Sequence, residues 1–137
     1  DKLFNNTITE GRVKHGSYNY HNIILSGDHV ITTNFEKADI GFQITDLYDF
    51  IRKVMEKNSW NMNTGIQIIE AYKKERKLEK EEQKVLYALL LYPEKYWKLV
   101  NFYYNGRKSW MSAKNFEKLR RVCGQEKERI NFLKEVK

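Results

Sequence analysis

Hydrophobic positions follow two rhythms along this chain. Before residue 44 they come in short runs; after it they recur every three or four residues. Asn22–Leu25 and His29–Thr33 are apolar or β-branched runs flanking Gly27-Asp28, a pair suited to a tight turn. Together they predict one β-hairpin. Arg12–Lys14 reads as a short extended lead into the loop that precedes the hairpin. Lys37–Ile44, which contains Gly41, reads as a loop after it.

The second regime predicts helices. Thr45 is a good N-cap, and Asp46 falls in the first turn, where the helix dipole favours an acid. Leu47, Phe50, Ile51, Val54 and Met55 recur at helical spacing, with Asn58 as the end. A second helix starts near Asn63-Thr64 and presents Ile66, Ile69 and Tyr72. Lys73–Lys84 is dense in both charges and reads as a loop plus the exposed start of a third helix, apolar at Val85, Leu86, Leu89 and Leu90. Pro93, the only proline, breaks that run and suits the first turn of the next helix. Glu94–Tyr104 carries Tyr96, Trp97, Leu99, Val100, Phe102 and Tyr103, apolar nearly all round, as in helices at the centre of a core. Gly106 reads as its stop. Ser112 or Ser109 caps a last helix through Val136, with Phe116, Leu119, Cys123, Ile130 and Leu133 inward. The expected fold is α+β, predominantly α: one small hairpin, then four to five helices. No repeat or low-complexity tract interrupts it.

At 137 residues the chain is one domain or a piece of a larger one. Asp1–Gly11 is polar and starts without an initiating Met. It reads as the end of an upstream helix and a loop, as in a fragment of a longer protein. The single Cys123 rules out an internal disulfide and fits a reducing compartment. No signal pattern is visible, and no apolar run is long enough to span a bilayer. The Asn5-Asn6-Thr7 glycosylation triplet therefore reads as chance. Net charge is +7, and Arg107–Lys137 alone, with ten Lys or Arg against four Glu, holds most of it. A basic end attracts polyanions, but acids interspersed among the bases favour a solvated helix, so nucleic acid is not the expected partner.

The chemistry concentrates in His15-Gly16-Ser17-Tyr18-Asn19-Tyr20-His21-Asn22 and in Asn34-Phe35-Glu36. Kinase-like phosphotransferases carry a catalytic loop of the form H-x-D-x-x-x-x-N, and His15, Ser17 and Asn22 have its spacing. Asn34-Phe35-Glu36 stands where such enzymes place an Asp-Phe-Gly or Asp-Phe-Glu metal motif. Both aspartates are replaced: Ser17 stands for the base and Asn34 for the metal ligand.

These stretches resemble the aminoglycoside phosphotransferase and choline kinase-like branch of the kinase fold. Within it, Thr33–Ala38, Thr45–Lys53, Tyr92–Lys98 and Tyr103–Trp110 are most similar to the spore coat protein S family of Firmicutes. The resemblance covers nearly the whole chain. It implies that residues 1–137 are a kinase-like C-terminal lobe whose nucleotide-binding N-terminal lobe is absent, with no Gly-rich loop or Val-Ala-Ile-Lys-like strand here.

Roles carry over by position. Ser17 matches the catalytic base, but a neutral hydroxyl is a poor proton acceptor, so Ser17 reads as a loop residue bonded to backbone. Asn22 matches the second metal-binding residue and equally suits a tie within the loop. Asn34 matches the main metal residue, with an amide where Mg²⁺ prefers an anion. Glu36, and more distantly Asp39, are the acids nearby. His15 matches the histidine that braces the loop, and Asp46 the aspartate that binds loop backbone, both structural. His21 and His29 lack the companions of a zinc site. The aromatic-basic stretch Tyr103–Trp110 has the composition to stack bases or sugars, but reads as packing.

The resemblance thus implies a spore coat pseudokinase lobe with a scaffolding role. It would work in the mother-cell cytoplasm during assembly and then in the coat. Its partners would be other coat proteins, with self-association through the face an N-lobe would cover, and no membrane. No cofactor is expected for this lobe. The alternative is a divergent small-molecule phosphotransferase that binds Mg²⁺ and ATP through Glu36 and Asn22. A third class is a polyanion binder acting through the basic C-terminal helix.

Overall fold

The computed structural model describes residues 5, 11–106 and 112–137. The readings placed on the rest of Asp1–Glu10 and on Arg107–Met111, including Ser109 as a cap and the tail of the aromatic-basic stretch, lie outside the described residues.

Strand β1 (Val13–Lys14) leads to a 3-10 turn (Tyr20–Asn22), then β2 (Ile23–Ser26) and β3 (His29–Thr32). A second 3-10 turn (Phe35–Lys37) precedes β4 (Asp39–Ile40). Among the described residues, six helices follow: α1 (Ile44–Lys57), α2 (Met62–Glu75), α3 (Lys80–Leu91), α4 (Glu94–Asn105), α5 (Ala113–Gly124) and α6 (Glu126–Val136). The fold is predominantly helical with one small hairpin, as the pattern predicts.

β2 and β3 pair antiparallel with Ser26 opposite His29, so Gly27-Asp28 is the whole turn. Gly27 has φ +56°, a left-handed conformation that glycine adopts freely. β1 pairs with β4, Val13 opposite Ile40 and Lys14 opposite Asp39. That pairing corrects the reading of Lys37–Ile44 as loop only. Two residues are too few for strand alternation to show.

The core is helical. Leu47, Ile51 and Met55 of α1 meet Leu86 and Leu90 of α3 and Phe132, Leu133 and Val136 of α6, together with Trp60. α1 and α6 each pack on α2 and α3. Trp60 enters this core from the α1–α2 turn, where Ser59 and Trp60 have φ +50° and +55°. Its ring lies 5.9 Å from that of Phe132. Gly65 is the buried residue of α2, and Phe132 and Met55 occupy the space beside it.

Several expectations need correction. α1 begins at Ile44, not after a Thr45 cap; the Thr45 hydroxyl donates to the Phe42 carbonyl at 2.7 Å. α2 is capped by Asn61, whose side chain accepts from Thr64 N at 3.1 Å, rather than starting at Asn63-Thr64. Pro93 is the residue before α4, not inside its first turn. The last helix is two, parted at Gln125, and Ser112 caps the first of them, accepting from Asn115 N. Phe116, Cys123 and Ile130 are exposed rather than inward, because Leu119 and Val122 face the bundle from α5 and Phe132 and Leu133 from α6.

The largest correction concerns α4. None of its residues is buried, and Tyr96, Trp97, Phe102, Tyr103 and Tyr104 are exposed. α1, α3, α6 and Trp60 already fill the core, and α4 packs mainly on α5. A helix apolar all round carries no signal of which face has a neighbour.

Among the described residues, the charged side chains of Glu82 and Arg129 lie inside. Glu82, 3% exposed, pairs with Arg76 at 2.6 Å and Arg12 at 3.7 Å, and accepts from Glu79 N at the start of α3. Arg129 donates to the Leu90 carbonyl at 2.8 Å and the Leu91 carbonyl at 3.2 Å, closing the C-terminal end of α3. A cation there meets the negative end of the helix dipole. Among the described residues, no helix is long and apolar enough to cross a membrane.

Glu94 fastens the start of α4 to α1. It accepts from the Tyr48 hydroxyl at 2.6 Å, lies 3.1 Å from Arg52 Nε and pairs with Lys98. Burial by itself would raise the Glu94 carboxyl. The bonds from Lys98 and Tyr48 and the charge of Arg52 outweigh it and hold the group below its ordinary value. A carboxylate lowered by folding contributes stability above its unfolded pKa, and that contribution is lost as pH falls through the folded value. Thermal melts from pH 7 downward should therefore show Glu94→Gln less stable than wild type at neutral pH, with a shallower decline below about pH 4.5. Parallel declines in the two proteins would refute the linkage.

Candidate functional site

The loop His15–Asn22 is held in place by backbone bonds and one carboxylate. Asp46, in the first turn of α1, accepts from His15 N at 2.6 Å and Gly16 N at 2.8 Å, one oxygen each. The helix N-terminus thus anchors the loop through a charged acceptor, stronger than a neutral one. The His15 ring is buried, 4.7 Å from the Phe35 ring. Its Nε2 lies 2.9 Å from the Thr33 carbonyl, and its Nδ1 accepts from Ser17 N at 3.2 Å. A carbonyl only accepts, so the proton is on Nε2 and the ring is the neutral tautomer. His15 therefore ties the loop to the end of β3.

The structure brings Ser17, Asn22 and Asn34 together. The Asn22 side-chain nitrogen donates to the Ser17 carbonyl at 2.8 Å and lies 3.4 Å from the Ser17 hydroxyl. That carbonyl requires a donor, which fixes the amide with Oδ1 turned the other way. Oδ1 accepts from the Asn34 side-chain nitrogen in a long contact of 3.4 Å. Asn34 has φ +67°, a left-handed conformation that Asn tolerates and Asp shares.

The donors at positions 22 and 34 are uncharged amides, and they face each other. With an acid at position 34, Asn22 Oδ1 would face a second oxygen, a pair that would suit a cation. Here an N–H of Asn34 supplies that positive end. Glu36 is on an exposed face of the Phe35–Lys37 turn, and Asp39 is exposed and accepts from Ile40 N at 2.7 Å. Among the described residues, no group of three His, Cys, Asp or Glu side chains is placed to hold a metal ion. Mg²⁺ takes one or two carboxylates at least, so this donor set does not fit it.

Two loop residues escaped the sequence reading. Asn19 is buried; it donates to the Ser17 carbonyl at 2.8 Å and accepts from His21 N at 3.1 Å, capping the Tyr20–Asn22 turn. An Asn two residues before a backbone donor is a common local turn signal, and it was legible. Gly16 has φ +74°, and the Lys37 carbonyl fills the space where a side chain would start. Nothing in the sequence places Lys37 there. A cavity of about 690 Å³ is lined by both apolar and polar side chains, among them His15, Asp46, Phe35, Phe50 and Tyr72, and Ser17, Asn22 and Asn34 do not line it. His21 lies within the Tyr20–Asn22 turn, and His29 stands at the turn of the hairpin, opposite Ser26.

A crystal structure of an aminoglycoside phosphotransferase from Alicyclobacillus acidocaldarius superposes with a TM-score of 0.89 at 18% identity. The match covers 98% of this chain and 40% of that one. At that identity the likeness shows the fold: a helical lobe of the phosphotransferase type. No curated protein sequence matches the chain. A family model described as "Spore coat putative kinase YutH" matches residues 6–136. Matched over nearly its full length, the chain belongs to this spore coat kinase-like family.

Proposed function

We propose that this chain is the C-terminal lobe of a spore coat pseudokinase, a folded scaffold that keeps the phosphotransferase shape and does not transfer phosphate. The observation that carries the reading is the Asn34 amide turned onto Asn22 Oδ1, with Ser17 in the position of the base. Phosphoryl transfer depends on bound metal ions and an oriented nucleophile. A positioned general base contributes about 10²- to 10⁴-fold in rate. The uncharged residues remove both at once. ATP and Mg²⁺ are accordingly not cofactors of this lobe.

The family points to the spore coat; in our reading the chain reaches it from the mother-cell cytoplasm and its partners are other coat proteins. The chain spans 40% of the Alicyclobacillus structure, so the whole protein carries more than this lobe in our reading. Ile24, Leu25, Val30, Ile31 and Phe35 are exposed around the hairpin. An upstream lobe covers that face in the full-length protein, and self-association covers it in its absence.

The test is nucleotide binding by the full-length protein. Thermal shift with millimolar ATP, with and without Mg²⁺, should show no Mg²⁺-dependent stabilisation. Phosphotransfer should be negligible in wild type and higher in the Ser17→Asp, Asn34→Asp double variant. Micromolar Mg²⁺-ATP affinity that Glu36→Ala abolishes would establish the divergent phosphotransferase instead. So would wild-type turnover as fast as that of the double variant.

A further inference from the structure

A second cavity, about 390 Å³, lies where the Tyr20–Asn22 turn meets α1, α4 and α5. Among the described residues, its lining holds five cations, Arg52, Lys53, Lys57, Lys95 and Arg121, against one carboxylate, Glu56. Glu56 is already shared, 3.4 Å from Arg52 and 3.0 Å from Lys95. Arg52 also leans on Glu94 and Asp49. Lys53, Lys57 and Arg121 have no carboxylate partner among the described residues, and Lys57 lies over the Tyr20 ring at 4.8 Å.

Like charges converging on one concavity repel each other and raise its potential, and a bound anion relieves that repulsion. We infer that this cavity binds a small, multiply charged anion of the phosphate type, a phosphate ester or pyrophosphate. The volume suits a small molecule, and the charged walls do not suit an apolar one. Arg121 offers planar, paired donors of the kind phosphate oxygens accept, and the lysines add point charge. Concavity sets the site apart from an open basic stripe tracking a nucleic-acid backbone. The inference goes beyond the pseudokinase reading and does not rest on it, since none of Ser17, Asn22 and Asn34 lines the cavity.

The experiment titrates pyrophosphate into the full-length protein by calorimetry, without nucleotide or Mg²⁺. Binding should weaken at least about tenfold in Lys53→Gln, Arg121→Gln, since each lost charged bond is worth more than the 1.4 kcal/mol of one decade. Lys73→Gln, Lys84→Gln removes the same charge from exposed positions on α2 and α3 and should change affinity less than about twofold. Melting temperatures confirm that both variants fold. Absence of binding at millimolar pyrophosphate overturns the proposal. Equal losses in the two variants reduce it to net charge, and an unchanged affinity in the cavity variant places the anion elsewhere; either overturns it.

Discussion

Gly65→Ala should lower the melting temperature by about 5–10 °C. On an ordinary helix surface the same change would help, because alanine is favoured over glycine by about 0.8–1 kcal/mol. Here the new Cβ overlaps Phe132 Cε2 and comes within 2.8 Å of Phe132 Cζ and Met55 Cε. Phe132 and Met55 are fully buried, so neither has solvent to swing into. The Phe132 ring also meets the Trp60 ring, 5.9 Å away between centroids. Overpacking of this kind costs about 1–3 kcal/mol, and contact with a rigid ring puts this site toward the upper end. Gly124, near the end of α5, has nothing within 4 Å of its Cβ position and serves as the control. Gly124→Ala should leave stability unchanged or slightly raised. A Gly65→Ala protein as stable as wild type would mean the core yields at this point.

Gly16→Ala should disorder the loop that carries Ser17 and Asn22 while the helices persist. Two penalties combine. The left-handed conformation costs a residue with a side chain about 1–2 kcal/mol. The Cβ would also overlap the Lys37 carbonyl oxygen and lie 3.0 Å from its carbon, and that neighbour is backbone. Relief requires the loop to move off the Phe35–Lys37 turn, breaking the paired bonds from His15 N and Gly16 N to Asp46. Gly27→Ala separates the terms, because Gly27 has φ +56° but open space around it. Hydrogen exchange should show the His15 and Gly16 amides unprotected in Gly16→Ala and protected in Gly27→Ala, with helix amides protected in both. Equal protection in the two variants would show that the Lys37 contact is unimportant.

Legibility in the sequence followed the range of each interaction. The inward face of α1, the Gly27-Asp28 turn and the approach of Ser17, Asn22 and Asn34 all rest on local spacing, and could be read. The exposure of α4 could not, because it depends on how much room α1, α3 and α6 leave. Nor could the burial of Glu82 and Arg129, which is set by partners up to 70 residues away in sequence. The two-residue β1–β4 pair is too short to leave a pattern. At the site, the spacing located the residues, but the orientation of the Asn22 amide emerged only with the Ser17 carbonyl facing it.

The hydrophobic cluster begins at Ile44, and no side chain from residues 11–40 belongs to it. Architecture and chemistry are therefore carried by separate stretches of polypeptide. Exchanging an acid for an amide at position 34, or for a hydroxyl at position 17, leaves the packed interior untouched. A lineage can surrender its reactivity by such steps and still inherit a body that folds.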